Sequence, residues 1–157
     1  MGVKGPRGVE LLQGEALTLF ASGVRGAAVG QTGTPVIVQG ERSRFCILLD
    51  VTAAASEVTD TLDAYIDVLA ADGTTWLNAA HFTQVLGNGG AKKYFAVLDP
   101  SNPGTSVIDA SADAAAGAVR PGLFGAQLRG RYTIVDGGGV AASFTFSVSA
   151  YAVGHPA

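Results

Sequence analysis

The sequence predicts an all-β protein, an antiparallel β-sandwich of jelly-roll-like form with about eight strands and little or no helix. Apolar and polar residues alternate with a period of two over several segments, which is the pattern of half-buried strands. Asp-Gly, Asn-Gly and glycine-rich stretches separate these segments and are typical of tight hairpin turns. No segment carries a long helical pattern, and the polar alternate faces exclude a parallel sheet covered by helices on both sides.

A chain of 157 residues has the length of one domain and can bury a core without disulfides or metals. Residues 1–15 contain glycines and a proline without periodicity, so we expect a flexible N-terminal arm. The alternating segments occupy residues 16–152, which are expected to form a single β-sandwich domain. Residues 153–157 remain as a short tail.

The first strands are predicted at 16–22, at 35–40 after a glycine-rich connection, and at 43–53. In the third of these, large apolar residues line one face, whereas Cys46 and Leu48 lie on the other. Apolar residues on both faces indicate a strand buried on both sides, or a strand with one face covered by another chain. Cys46 is expected to be a small buried hydrophobic residue rather than a nucleophile.

Residues 61–70 alternate cleanly, with Asp63, Tyr65 and Asp67 on the face opposite the apolar residues. The pair Asp72-Gly73 predicts a tight turn, after which residues 75–86 return as the next strand. Simple alternation along this returning strand predicts two faces, with Trp76, Ala80 and Phe82 on one and Leu77, Ala79 and His81 on the other.

The rest of the chain continues the pattern of strands and turns. Residues 87–91 form a predicted turn and residues 92–99 the next strand. Residues 99–125 are expected to be a long loop with at most a short helix, because Gly117 and Pro121 interrupt an alanine-rich stretch. The last two strands are predicted at 126–135 and 142–152, on either side of a turn at 136–139.

The composition indicates a surface that is buried against other subunits. Charged residues make up 15% of the chain, against about 25% in a typical globular domain. The net charge of -3 and the absence of a basic block exclude the electrostatic footprint of a nucleic-acid binder. No apolar run approaches the roughly 20 residues of a membrane span, and no signal peptide is recognisable, so synthesis in the cytoplasm is expected.

The residues that could carry chemistry are too scattered for an active site. Asp63 and Asp67 lie about 13 Å apart along one strand face, at roughly 3.3 Å per residue, which is too far for one metal ion or a glycosidase pair. His81 stands alone, Cys46 is the single cysteine, and no nucleophile elbow or phosphate loop occurs. We therefore expect no catalytic residue, cofactor, metal or enzymatic activity. Calcium in a loop, and sugar stacking on Trp76 and the tyrosines, stay open as alternatives.

Four strand motifs carry a family resemblance: D-V-T-A at 50–53, D-T-L-D-x-x-I at 60–66, D-G-x-x-W at 72–76 and S-F-T-F-S-V at 143–148. Through these motifs, residues 16–152 resemble a group of small virion proteins of tailed bacteriophages. The resemblance implies a structural part of the particle, in the head or the tail, without catalytic residues. The N-terminal arm has no counterpart in that group.

The resulting expectation is a capsid decoration protein, or another head-associated protein, that acts as an oligomer with a trimer favoured. The expected partners are the major capsid protein or other virion proteins, and the expected location is the virion. The alternative is a tail-associated or carbohydrate-binding β-sandwich module used for host adsorption. The candidate interface residues are Lys4, Arg7, Arg42, Arg44, Tyr65 and Trp76.

Overall fold

The computed structural model describes residues 14–38 and 42–154, with Arg42 and Ser43 described by their backbone alone. The strands, in chain order, are β1 (Gly14–Gly26), β2 (Ala28–Thr32), β3 (Val36–Ile37), β4 (Arg42–Ala53), β5 (Thr61–Leu69), β6 (Trp76–His81), β7 (Val85–Leu86), β8 (Lys92–Leu98), β9 (Ala118–Val119), β10 (Gln127–Val135) and β11 (Ser143–Gly154). Within the described residues there is no helix. The prediction of an all-β protein is therefore confirmed.

The strands build two antiparallel sheets. One sheet has the order β1-β11-β4-β8, and the other has the order β2-β10-β5-β6-β9, with β3 added to β10 and β7 to β5. The pairing is nested, because β1 pairs with β11, β2 with β10, β4 with β8 and β5 with β6. A long hairpin folded over on itself produces this nesting, which is the strand arrangement of a jelly roll.

The core lies between the two sheets and is built from the inward positions of the alternating strands. Burying one such side chain contributes roughly 1.5–3 kcal/mol. The largest fully buried side chains come from β4 and β11 on one side and from β5 and β10 on the other: Ile47, Leu49, Phe144, Phe146, Leu62, Ile66, Leu128 and Ile134. Each lies on the face that the alternation predicted, so the inward faces of these strands are confirmed.

The prediction of one continuous, regularly alternating strand at 75–86 is wrong. It is divided into β6 and β7, and Ala79 bulges out of the ladder, because Asp67 pairs with Asn78 whereas Ile66 pairs with Ala80. One extra residue reverses the alternation beyond it. Trp76 and His81 therefore share the outer face of the sheet, while Phe82 is buried in the core.

Several other boundaries differ from the predicted ones. The first strand already begins at Gly14, so two residues of the predicted arm belong to the sheet. The tail prediction differs in the same way, because β11 extends to Gly154. Residues 1–13 and 155–157 lie outside the described residues. The long loop predicted at 99–125 is confirmed, and it also contributes the short edge strand β9.

Candidate interaction surfaces

The outer face of the seven-stranded sheet carries a buried carboxylate between two arginines. Asp67 on β5 is 2% exposed. Its Oδ2 accepts hydrogen bonds from Arg129 Nε at 3.3 Å and from Arg131 Nε at 3.0 Å, and Asn78 Nδ2 donates to its Oδ1 at 3.2 Å. The surface formed by these residues together with Tyr65, Trp76 and His81 is called the polar face. The chain itself encloses the Asp67 carboxylate, as a buried charge requires.

Arg131 joins this carboxylate to the long loop. Its second side is held by the carboxylate of Asp113, which belongs to residues 99–125. Burial alone would lower the pKa of Arg131, but hydrogen bonds with Asp67 and Asp113 outweigh burial and raise it. The guanidinium is therefore a permanent cation that fixes the loop to the sheet.

Both aromatic side chains of the polar face are covered by neighbours in the same chain. The Tyr65 ring lies between the Arg131 guanidinium, 4.1 Å from its centroid, and the His81 ring, 4.2 Å away and stacked. Burial, followed by the charges of Asp63 and Asp113, raises the pKa of the Tyr65 hydroxyl. Arg129 lies 4.1 Å above the Trp76 ring. A sugar-stacking platform needs a free ring face, and Tyr65 offers none.

His81 ties strand β6 to the loop. Its Nε2 lies 2.8 Å from Asp63 Oδ1, and its Nδ1 lies 2.9 Å from the Ala114 carbonyl oxygen. Because both neighbours are acceptors, both hydrogen bonds form only when both ring nitrogens carry protons. The Asp63 carboxylate also accepts a hydrogen bond from Gln84 Nε2 at 2.8 Å. This pair is a structural link, because each partner is already engaged.

Further hydrogen bonds dock loop residues 112–120 onto the edge of the sheet. Arg120 donates from Nη1 to the Asn78 carbonyl oxygen at 3.0 Å and from Nη2 to the Ala112 carbonyl oxygen at 2.6 Å. The Ala114 amide donates to Asn78 Oδ1 at 2.8 Å. The short strand β9 pairs with β6 beside these contacts, so the loop covers the sheet edge.

A cavity of about 450 Å³ lies between this loop and β6. Leu77, Ile108, Arg120 and Leu123 are among the residues that line it, and no aromatic ring does. In the part of the chain that the structure describes, no group of three His, Cys, Asp or Glu side chains could hold a metal ion. The polar face therefore holds the long loop against the sheet, and its charged side chains bind partners within the same chain.

The outer face of the four-stranded sheet has a different character, with apolar side chains at its centre. The register places two cross-strand rows there, Val97–Cys46–Tyr151 and Phe95–Leu48–Ser149. Phe95 is 74% exposed, Tyr151 53% and Val97 51%. We call these two rows the apolar face. Large apolar side chains grouped on a sheet surface are typical of interaction sites.

Cys46 was expected to be buried, and this prediction is wrong. The cysteine is exposed, because it lies on the outer side of β4, where nothing in the described chain covers it. Leu48, two residues on, is half-buried. Of the two interpretations of the apolar strand at 43–53, burial of both faces by the described residues of the same chain is thereby excluded.

Two ion pairs frame the apolar face. The Nε of Arg44 lies 3.5 Å from an oxygen of Asp99 at one end, and the Nζ of Lys93 lies 3.0 Å from an oxygen of Asp50 at the other. Both pairs are largely solvated, so each contributes little to stability, about 0–1 kcal/mol. Each end of the face thus presents one positive and one negative side chain.

The predicted interface residues do not form one surface. Tyr65 and Trp76 lie on the polar face, Arg44 lies beside the apolar face on the opposite sheet, and Lys4 and Arg7 lie outside the described residues. For Arg42 only the backbone, which pairs with Gly154 of β11, is described.

Sequence reasoning missed Phe95 and Val97, and it considered Tyr151 only as one of several tyrosines that could stack on a sugar. A signal was present, because the segment K-K-Y-F-A-V-L-D is apolar on both faces, as the strand at 43–53 is.

Comparison with known proteins identifies the fold. No protein-family model matches the chain, and no curated protein matches it significantly in sequence. Among solved structures, similarity is found to the crystal structure of the infectious bursal disease virus VP2 subviral particle, with a TM-score of 0.54, 13% identity and coverage of 94% of this chain. The structures of the Gx and Gt strains of the same virus give TM-scores of 0.54 and 0.50, again with 13% identity.

The chain spans about a third of the length of these viral proteins, between 33% and 34%. At 13% identity the likeness concerns the fold alone. The chain therefore has a β-sandwich fold that is similar to part of these infectious bursal disease virus structures. Among the described residues, no helix has the length and apolarity needed to cross a membrane.

Proposed function

We propose that this chain is a structural protein of a virus particle. More specifically, we propose a capsid decoration protein, or another head-associated protein of a tailed phage, that acts as an oligomer on the major capsid protein. The observation that carries the proposal is the jelly roll, which 94% of the chain shares with a particle-forming viral protein. The narrower assignment rests on the resemblance of four strand motifs in this sequence to virion proteins of tailed phages.

The surface of the chain also supports this role. The charged side chains of the polar face bind partners within the chain, since Arg131 binds Asp67 and His81 binds Asp63, whereas the apolar face is exposed. Catalysis needs reactive groups that can reach a substrate, and association into an oligomer needs exposed contact area. We therefore propose a binding role and no enzymatic activity.

The proposed mechanism is multivalent attachment. Each subunit of an oligomer contributes one contact to the shell, and linked contacts bind far more tightly than single ones because the later ones are intramolecular. Such a protein would stabilise the particle against the pressure of packaged nucleic acid by holding several capsid subunits together. Residues 1–15 are candidates for part of that contact, as the sequence suggested.

Particles of the virus that encodes the chain provide the test. Density-gradient-purified particles are analysed by mass spectrometry, and a reconstruction by electron cryo-microscopy locates the chain. The expected result is a stoichiometric protein on the outer surface of the head. Absence of the chain from purified particles would overturn the proposal, and density on the tail alone would overturn the head assignment.

A further inference from the structure

The arrangement of charges around the apolar face suggests what covers it. The register gives four successive rows across β8, β4 and β11, each two residues apart. Asp99 and Arg44 form the first row, the two apolar rows follow, and Lys93 and Asp50 form the fourth. Strand β4 carries the positive residue Arg44 at one end of the face and the negative residue Asp50 at the other. On β8 the order is reversed, with Asp99 directly after the strand at the first end and Lys93 at the second.

We propose that the apolar face packs against the same face of a second copy of this chain, related by a two-fold axis. The axis lies between the sheets and runs across the strands, so that β4 lies over β4 and β8 over β8 in opposite directions. This symmetry places Arg44 opposite Asp50 of the second copy, and Asp99 opposite Lys93 of the second copy. Opposite charges then meet at both ends, as an isologous contact requires.

The same symmetry matches the apolar rows. The row of Val97, Cys46 and Tyr151 lies over the row of Phe95, Leu48 and Ser149 of the second copy. The residues at the centre are thereby desolvated together, while the four ion-pairing residues form a polar rim. An axis along the strands would bring opposite charges together only if it ran between β4 and β8, and β11 with Tyr151 would then lie beyond the edge of the second copy's sheet.

The available area is sufficient for a stable dimer. The strands β4 and β11 have 12 residues each. Strand β1 has 13 residues and β8 has 7, so at about 3.3 Å per residue and about 4.8 Å between strands the outer face of the whole sheet covers roughly 700 Å² per copy. Stable interfaces bury roughly 800 Å² per partner. The inference rests on the proposed function in one respect, because it names the surface through which the proposed oligomer associates.

Two exposed phenylalanines allow a matched test. Phe95 is 74% exposed on the apolar face, and Phe124 is 72% exposed on the long loop. Sedimentation velocity over a concentration series is expected to show a dimer for the wild type and for Phe124→Lys. Phe95→Lys is expected to lower the association constant by about 100-fold or more, because it places an unpaired charge in the interface centre. Circular dichroism checks that both variants are folded.

Cys46 reports on the same surface without any substitution, because it is the single cysteine of the chain. Its modification by a maleimide, followed by mass spectrometry, is expected to slow as the wild type dimerises and to stay fast in Phe95→Lys. Exchanging the ends of one ion pair, with Asp50→Lys and Lys93→Asp together, keeps that pair within the chain. It places like charges opposite each other in the dimer, so dissociation is expected.

Three outcomes would overturn the inference. These are a monomeric wild type at all soluble concentrations, an oligomer that Phe95→Lys leaves intact, or Cys46 protection that disappears on deletion of residues 2–13. The last would make the N-terminal segment the occupant. If the protein is a monomer in solution but is present on purified particles, this inference fails and the proposed function stands. If the protein is a dimer but is absent from particles, the proposed function fails and this inference stands.

Discussion

At the residue scale, the aspartates on the outer faces of the two sheets differ in their burial and in the number of hydrogen bonds that they accept. Asp67 and Asp50 are both strand residues paired with cations. Asp67 is enclosed and receives four hydrogen bonds from three residues, whereas Asp50 pairs with a lysine that is 68% exposed. Removing the charge from an enclosed site leaves its buried partners unpaired. The same substitution therefore costs more stability at Asp67 than at Asp50.

The substitution Asp67→Asn is expected to destabilise the protein by about 2–3 kcal/mol, because it leaves Arg129 and Arg131 without their shared anion in a site of low exposure. The matched control is Asp113→Asn, at the solvent-exposed end of the same network, with an expected loss below about 1 kcal/mol. Urea unfolding measures both. Equal losses would show that burial does not decide the contribution of these carboxylates.

The turn residue Asp72 gives a pH-dependent prediction. Its carboxylate accepts hydrogen bonds from the Thr75 hydroxyl and from the Thr75 and Thr74 amides, and these lower its pKa from 3.8 to about 2. A lowered folded-state pKa means that the carboxylate stabilises the turn above pH 3.8. This contribution is lost as the pH falls towards about 2.

An NMR titration of the Asp72 carboxyl carbon is expected to give a midpoint near 2. Thr75→Val should raise that midpoint, because the Thr75 hydroxyl is the largest cause of the shift. Thr74→Val should change it much less. A wild-type midpoint at 3.8 would contradict the hydrogen bonding described for this turn.

At the element scale, the strands with a complete alternation could be predicted and the element with an insertion could not. The segments around Ile66 and Phe146 carry their inward residues at every second position, as the structure has them. The bulge at Ala79 depends on the register between β5 and β6, which alternation along one strand does not contain. Alternation therefore grouped Trp76 with Phe82, whereas in the structure Trp76 shares a face with His81.

The docking of the long loop was also beyond prediction from the sequence. Its contacts join Asn78 to Ala114 and His81 to Ala114, residues more than thirty positions apart, with no local pattern to reveal them. The turn at Asp72-Gly73, by contrast, is local. Gly73 adopts a φ of 71°, which the Asp-Gly pair correctly predicted.

Arg120 is expected to control the docking of this loop without controlling the fold. Arg120→Ala removes the hydrogen bonds to the Asn78 and Ala112 carbonyls. Amide exchange at Gly117 and at residue 120 is expected to increase about tenfold, which corresponds to one or two lost hydrogen bonds. Amides of β5 and β10 serve as the internal control. Uniformly faster exchange in both strands and loop would mean that the loop and the sandwich unfold as one unit.

At the scale of the whole molecule, periodicity predicted two-faced strands but not their order. Nesting of β1 with β11 and of β2 with β10 joins the first described strands to the last ones, and any strand order would give the same alternation. The distance between the two sheets depends instead on a few side chains that pack between them. Phe20, Tyr132 and Phe146 meet edge to face, with centroids between 5.3 and 6.1 Å apart, where β1 and β11 approach β10.

Gly130 on β10 permits this approach, since a Cβ there would lie 2.6 Å from the Phe20 ring. The ring cannot retreat easily, because Tyr132 and Phe146 pack against it. Gly130→Ala is expected to cost about 1–3 kcal/mol through overpacking, or a fall in Tm of about 3–10 °C for a domain of this size.

Gly23→Ala is the matched control in the opposite sheet, because a Cβ at that position meets no atom nearer than 3.9 Å. Its expected effect lies within about 1 kcal/mol of zero, with reduced freedom of the unfolded chain favouring stabilisation. Thermal unfolding followed by circular dichroism compares the two variants. If Gly130→Ala were as stable as Gly23→Ala, the two sheets would have to be able to separate around Phe20 at no cost, and the dense packing that defines this core would be refuted.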